Sequence, residues 1–389
     1  MNALYLSARK LLPLTGGAEL ASNGLLQYLN SLGINTTILS FYEKNDYTDE
    51  EVKELKKYSA RVRSTKLKWK NIALNLSFKY PSNIRKYTRS SMYKMIREEV
   101  LTKQYDLIIA DHLQMFEYCK LGILKNSRIV LNEHNVEYKV WESYSERCKK
   151  SIMPFVILMS KRIKKYEAEA CKMSDLVLAI SEEDKKSLLE LEPNSRIEVL
   201  TPGIKFERIK TEEDIRNVSN TILFVGSYSW YPNRKAAEFL VEELMPILRK
   251  KRNGIRLYLV GKCPTDEIIE YGKKYDDVIV TGMVESVEPY FKRSDIFVNA
   301  VTDGGGMNIK MLEAMGRGIP VISTTFGMRG INLDDSNCIK VFNDSNECAD
   351  LIIRMLDNPQ DNIEVANEAR QFYEKYVEPP QTVKDILFE

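Results

Sequence analysis

The sequence contains only two histidines, His112 and His134, and its six cysteines include no pair at CxxC spacing. A mixed His/Cys zinc site and a disulfide framework therefore both lack their raw material. No apolar run approaches the ~20 residues that span a bilayer, and the longest candidate, Ile152 to Met159, is interrupted by Pro154. There is no Asp-x-Asp triplet to hold a divalent cation, and neither histidine stands beside a serine or cysteine nucleophile motif. The opening MNALYLSARK has no basic region ahead of its apolar residues, so it reads as a first strand and not as a signal peptide. A cytoplasmic protein that needs no metal is the expectation.

What is present is a globular composition: 389 residues, 44% hydrophobic and 29% charged. That length suggests two or three domains. The net charge is +2, yet residues 51–100 carry 14 Lys+Arg against 4 Asp+Glu. Such a block suits an anionic lipid surface, nucleic acid or plain solvent.

Short aliphatic and β-branched runs alternate with helical-period stretches. In the first half they are Ala3–Ser7, Ile34–Ser40, Tyr105–Ala110, Arg128–Asn132, Leu176–Ile180 and Ile197–Thr201. In the second half they are Ile222–Gly226, Arg256–Val260, Val278–Thr281, Ile296–Val298, Pro320–Ser323 and Cys338–Val341. Apolar strands separated by helices predict an α/β fold with two Rossmann-like domains, each built on a parallel sheet. The expected divisions are 1–202, a linker at 203–219, a second domain at 220–370, and a helical segment at 371–389 crossing back to the first domain. Residues 43–104 interrupt the alternation and read as helices and loops.

Ligands of open parallel sheets bind outside the carboxyl ends of the strands, so strand-exit residues are the candidates for chemistry. Gly16-Gly17 follow the first strand and open a helix, where backbone N–H groups approach a phosphate. A tight turn accounts for them equally well. With Glu43 as a ribose ligand, a dinucleotide dehydrogenase also stays open. Both histidines fall at strand exits, with Asn135 beside His134. Gly226-Ser227 end the first strand of the second half, and Arg234-Lys235 lie in the first turn of the next helix. Cations there are unfavourable unless an anion offsets them. The run Gly304-Gly305-Gly306-Met307-Asn308-Ile309-Lys310 leads into a helix carrying Glu313. Its amides and the lysine suit a diphosphate, and the carboxylate suits ribose hydroxyls.

Together TGGAE, DLIIADH, NEHNVE, SDLVLAIS, VLTPGI, FVGSYSWYPN, VIVTGMV and GGGMNIKMLEAMGRGIPVIST resemble, in order and spacing, the family-4 "glycosyl transferases group 1". The resemblance covers nearly the whole chain. It implies the GT-B fold, two Rossmann-like domains with parallel sheets facing across a cleft. It implies sugar transfer from a nucleotide-sugar, a UDP-sugar by family habit, with retention at the anomeric carbon and no cofactor or metal. The acceptor would be a glycan, a lipid-linked oligosaccharide or a protein, in bacterial surface glycan synthesis.

Carried over by position, His112 and Lys310 serve catalysis. Donor binding falls to Gly16, Gly17, His134, Asn135, Gly226, Ser227, Arg234, Lys235, Met283, Gly305, Gly306, Met307, Asn308, Ile309 and Glu313. Glu313 matches the second glutamate of the family's Glu-x7-Glu motif, while the first falls on Gly305, and Ser227 stands where an arginine is usual. A non-catalytic GT-B binding subunit and a GT-B sugar-nucleotide epimerase are the alternatives.

The basic stretch 53–97, with Trp69 among its cations, reads as a contact for an anionic membrane surface or a lipid-diphosphate acceptor. The chain would then sit at the inner face of the membrane. No nucleic-acid motif is present. The run 149–165, with Lys161, Arg162, Lys164 and Lys165 beside the apolar Ile152–Met159, has the same make-up, and a core helix with solvated lysines is the other reading of it.

Overall fold

Residues 3–6, 36–41 and 107–110 are buried without alternation. A strand achieves that only within a sheet covered on both faces, which is why its sequence can be apolar throughout. The computed structural model describes residues 1–14, 16–67, 80–201, 203–304, 307–331, 338–377 and 383–388. They divide into two compact units, Met1–Ile204 with Pro379–Glu389, and Lys205–Glu378.

The first unit holds β1 (Asn2–Ser7), β2 (Asn35–Tyr42), β3 (Arg61–Lys66), β4 (Leu107–Asp111), β5 (Arg128–Asn132), β6 (Leu176–Ala179) and β7 (Ile197–Val199). The second holds β8 (Thr221–Val225), β9 (Arg256–Val260), β10 (Val278–Gly282), β11 (Ile296–Asn299), β12 (Val321–Thr324) and β13 (Ile339–Phe342). The sheet orders are β3-β2-β1-β4-β5-β6-β7 and β10-β9-β8-β11-β12-β13, and every pairing is parallel. Each order reverses direction once, at β1/β4 in one sheet and at β8/β11 in the other.

In the first unit, Leu4, Leu6 and Ile108 pack on one face of the sheet, while Tyr5, Ile38 and Ile109 pack on the other with Leu25, Leu26 and Leu29 of the helix Gly17–Ser31. Leu387 of the helix Val383–Phe388 is buried in that second cluster.

All twelve strands read from the sequence are present, with ends shifted by a few residues. The thirteenth, β3, lies where helices and loops were expected. Its sequence, RVRSTK, is too charged to read as a strand. It forms because it is an edge: Arg63 donates to Glu99 at 2.7 Å and Glu98 at 2.6 Å, and Arg61 lies 3.2 Å from Glu99. Charged side chains on an edge strand also discourage pairing with another chain. The basic stretch is thus partly neutralised, and Lys68, Trp69 and Lys70 lie outside the described residues.

The segment expected as a linker, 203–219, is packed. Lys210 is buried, donates to the Ser294 carbonyl and lies 3.6 Å from Asp295. Ile215 is buried with Ile363 and Ala366.

At the exits of β8 and β9 two glycines pass in contact. A Cβ on Gly261, whose φ is +147°, would stand 1.8 Å from the Gly226 carbonyl oxygen. Gly261→Ala should therefore lower stability by about 2–4 kcal/mol, through backbone strain and overpacking together. At Gly122 an added Cβ meets nothing within 4 Å, so Gly122→Ala should stay within ~0.5 kcal/mol. Urea melts of the two variants check this, and equal midpoints would remove the close approach.

Candidate functional site

At the switch point of the first unit, β4 ends in Asp111, which is fully buried. Its Oδ1 accepts from Asn132 Nδ2 at 2.8 Å and lies 2.7 Å from His134 Nε2. Its Oδ2 accepts from Ser22 Oγ at 2.7 Å and Ser7 Oγ at 3.4 Å. The Asp111 carboxylate can only accept, which assigns the proton to His134 Nε2, while Asn132 Nδ2 directs its own hydrogen to Asp111. Burial alone would raise the Asp111 carboxyl, but the His134 and His112 rings hold it well below the usual range.

His112 follows at φ +80°, a left-handed conformation uncommon outside glycine. That turn lays its ring parallel to His134, with centroids 3.8 Å apart and 5° between planes. Burial and then the His134 charge pull His112 down to about 4, so it is neutral at pH 7. Asp111, His112 and His134 offer three ligand atoms within 4.8 Å. Parallel rings, however, keep their lone pairs in separate planes, which does not aim both at one ion. The cluster is a carboxylate-centred hydrogen-bond set.

Arg9, at the β1 exit, lies 3.5 Å from Glu19 in the first turn of the helix that Gly16 and Gly17 open. Behind the histidines, Glu167 caps the helix Glu137–Arg147 by accepting from the amides of Glu137 and Tyr138. Burial pushes Glu167 up to about 8, and burial raises Glu133 beside it well above the usual carboxylate range as well.

At the switch point of the second unit, two loops are tied together. Asn233 donates to the Ser227 carbonyl at 2.9 Å and accepts from Lys310 Nζ at 2.5 Å. Gly226 allows this, since a Cβ there would meet Asn233 at 2.8 Å. Gly304, at φ +123°, packs against Pro232 and the half-exposed Trp230. Lys310 Nζ also lies 4.7 Å from the Phe224 ring centroid, and burial pulls its ammonium down to about 7. Glu313 is buried and accepts from Arg317 at 2.9 and 3.0 Å. Burial raises its carboxyl and Arg317 opposes the rise.

The family profile "Glycosyltransferase Family 4" matches residues 15–208, and "Glycosyl transferases group 1" matches 219–358. This chain belongs to the family-4, group 1 glycosyltransferases. It is 24% identical to a protein encoded in the cps region of Klebsiella pneumoniae, over 76% of each chain. The fold is similar to that of WaaG, a glycosyltransferase involved in lipopolysaccharide biosynthesis (TM-score 0.70, 14% identity, 99% of both chains). It is also similar to Anabaena HepE in complex with UDP-glucose (TM-score 0.63, 14% identity, 99% of this chain and 98% of that one). Those likenesses make the two units a GT-B fold.

In this glycosyltransferase the structure gathers Gly226, Ser227, Lys310 and Asn233 at one switch point. It gathers His112 and His134 at the other, with Gly16 and Gly17 opening the helix after β1. Asn135 is half-buried beyond His134. Four of these residues already have partners within the chain. Ile309 N–H donates to Met307 O at 3.1 Å, so that amide is already engaged. Lys235 pairs with Glu238 at 2.5 Å, while Arg234 lies over the Tyr231 ring. Glu313 is buried against Arg317, where a cleft-facing carboxylate was expected. Met283 is exposed past β10, Met307 lies 3.6 Å from the Tyr376 hydroxyl, and Asn308 donates to Gly327 O at 3.0 Å. Gly305 and Gly306 lie outside the described residues.

Asp111, Asn233 and Glu167 were missed. Asp111 stood inside the quoted DLIIADH as the last residue of a strand, and Asn233 inside SYSWYPN. Glu167 carried no local signal, because its partners are 29 and 30 residues away.

Asp111→Ala removes the acceptor for His134, Asn132 and Ser22, and should cost about 2–4 kcal/mol in chemical denaturation. Asp111→Asn should lose less than half of that, because its amide can turn toward the Ser22 hydroxyl while its oxygen still accepts from His134. An Asn variant as unstable as the Ala variant would show that charge, and not the hydrogen bonds, holds the pair.

Proposed function

We propose that the chain transfers a sugar from a nucleotide-sugar, with retention at the anomeric carbon, to a glycan or lipid-linked acceptor in bacterial surface polysaccharide synthesis. The observation that carries the donor half is the junction of Lys310, Asn233 and the Ser227 carbonyl at the β8/β11 switch point. The surface-glycan half is supported by the relative from a cps region and by the lipopolysaccharide role stated for WaaG. HepE, solved with UDP-glucose, makes that donor the first to try.

In this reading the diphosphate lies against Lys310 and Arg234, and Glu313 receives the ribose hydroxyls. The bond between the anomeric carbon and the diphosphate oxygen breaks as the acceptor oxygen bonds to the same face of that carbon. The acceptor's proton passes to the departing phosphate oxygen. Negative charge grows on the leaving group, and a cation fixed in place stabilises it without reorganisation. His112, neutral and held by the Asp111 set, contacts the sugar at the reacting centre and need not act as a base.

The Lys310 ammonium supplies a test. Near pH 8 most of the free protein has Lys310 neutral, because its value lies near 7. A bound diphosphate favours the charged form and raises that value, so binding takes up a proton. Titration calorimetry of UDP-glucose at pH 8, in two buffers of different ionisation enthalpy, should show uptake approaching one proton per ligand. UDP-glucose has no group of its own titrating near pH 7. Affinity should fall roughly tenfold per pH unit above 7, and Lys310→Gln should abolish both effects. Binding without proton uptake would move the diphosphate away from Lys310, and binding without turnover toward any acceptor would favour the accessory-subunit reading.

Glu313→Gln keeps the side chain's shape and removes its charge. It should weaken nucleotide binding roughly tenfold, about 1.4 kcal/mol. Thermal shift with UDP checks that, and an unchanged response would take Glu313 out of the ribose site.

A further inference from the structure

Helices Glu137–Arg147 and Met153–Met173 form a hairpin in the first unit. The longer helix buries Val156, Met159, Ile163, Tyr166 and Ala170, as an amphipathic helix should. Its first two turns also carry apolar residues beyond that face. Ile152 is 41% exposed, Phe155 38%, Ile157 40% and Leu158 53%. They lie within seven residues of one another at the tip of the hairpin, where water reaches about two-fifths or more of each side chain.

Cations frame that patch. Lys149 and Lys150 stand at the tip, and Lys161, Lys164 and Lys165 continue the outward face by helical spacing from Ile157 and Leu158. Residues 147–166 contain seven Lys+Arg and no Asp or Glu. Nearby acids are Glu142 and Glu146 on the shorter helix, both exposed, and Glu169, which pairs with Lys120 at 2.8 Å. Tyr144, 46% exposed, adds an amphipathic ring at the same end.

We propose that this tip docks on an anionic bilayer surface. The apolar residues enter the headgroup boundary and the lysines meet lipid phosphates, with no segment crossing the membrane. The charge pattern favours lipid over a protein partner: an apolar tip continued along the same helix by lysines, with no acid in 147–166, attracts a uniformly anionic plane. The contact is separate from the residues assigned to sugar transfer, so it stands or falls apart from that reading. Of the two basic stretches that the sequence offered for a lipid contact, it takes 149–165 in place of 53–97.

The full chain is sedimented with vesicles rich in phosphatidylglycerol, or with phosphatidylcholine alone, at low and high salt. Binding is expected to the anionic vesicles only and to weaken at high salt, as screening shortens. Each lysine at the surface contributes roughly fivefold to partitioning, so Lys161→Glu/Lys165→Glu should cut binding at least tenfold. Phe155→Ser/Leu158→Ser should cut it comparably, with far-UV circular dichroism and the melting temperature unchanged. Lys53→Glu/Lys56→Glu, in the other basic stretch, should bind like wild type. The proposal is overturned if wild type stays in the supernatant at low salt, if the hairpin variants bind fully, or if the Lys53/Lys56 variant is the one that loses binding. It is also overturned if light scattering finds a dimer that Phe155→Ser/Leu158→Ser dissociates while vesicle binding is absent, since a second copy would then cover the patch.

Discussion

In each sheet a single reversal of strand order governs where chemistry can collect. Neighbouring parallel strands send their following loops to the same face, and loops on either side of a reversal diverge and leave their ends uncovered. At β1/β4 the uncovered ends carry Asp111 and His112, and at β8/β11 they carry Gly226, Ser227 and the glycine run before Lys310. Elsewhere along the sheets the central strands are packed with aliphatic side chains. Buried polar groups are tolerated at the reversals because the loops supply partners: Ser22, Asn132 and His134 for Asp111, and Asn233 for Lys310.

The two sites solve the burial of charge differently. Asp111 is surrounded by donors from its own unit, Ser7, Ser22, Asn132 and His134, so its charge is held and its effect is to orient the histidines. Lys310 is desolvated over Phe224 and hydrogen-bonded to Asn233, and its proton is weakly held. A group in that state gains more from an arriving anion than a solvated lysine would, because it has already given up its water. Glu313 lies between these cases, raised by burial and pulled back by Arg317.

The alternation of apolar strands and helices was plain in the sequence because strands covered on both faces cannot hide their composition. β3 escaped for the converse reason: an edge strand keeps charge, and its arginines find Glu98 and Glu99 only in three dimensions. The glycines, histidines and Lys310 were legible because each stands next to a strand end in sequence. Their partners were not: Asp111 reads as the end of a strand, Asn233 as a turn residue, and Glu167 as one more helix glutamate. Hydrogen bonds spanning 23, 77 and 29 residues have no local signature.

The hairpin at Met153–Met173 shows the limit of periodicity from another side. A helix apolar around its whole circumference is either enclosed or set against something other than water. Sequence cannot distinguish these, because the answer depends on how many elements cover the helix. The partner helix Glu137–Arg147, with Tyr138 and Trp141 on its packed face, accompanies the side carrying Val156, Met159 and Ile163. Ile157 and Leu158 lie away from that face and Phe155 at its edge, each partly open to water. Leaving their exposed part in water costs free energy on the order of 25 cal/mol per Å² of apolar surface. The lysines that follow them along the same face add an electrostatic attraction to any anionic plane. Both terms are relieved together by one kind of surface, which is why the exposed apolar side chains and the one-signed charge are better read as a single feature than as two accidents of composition.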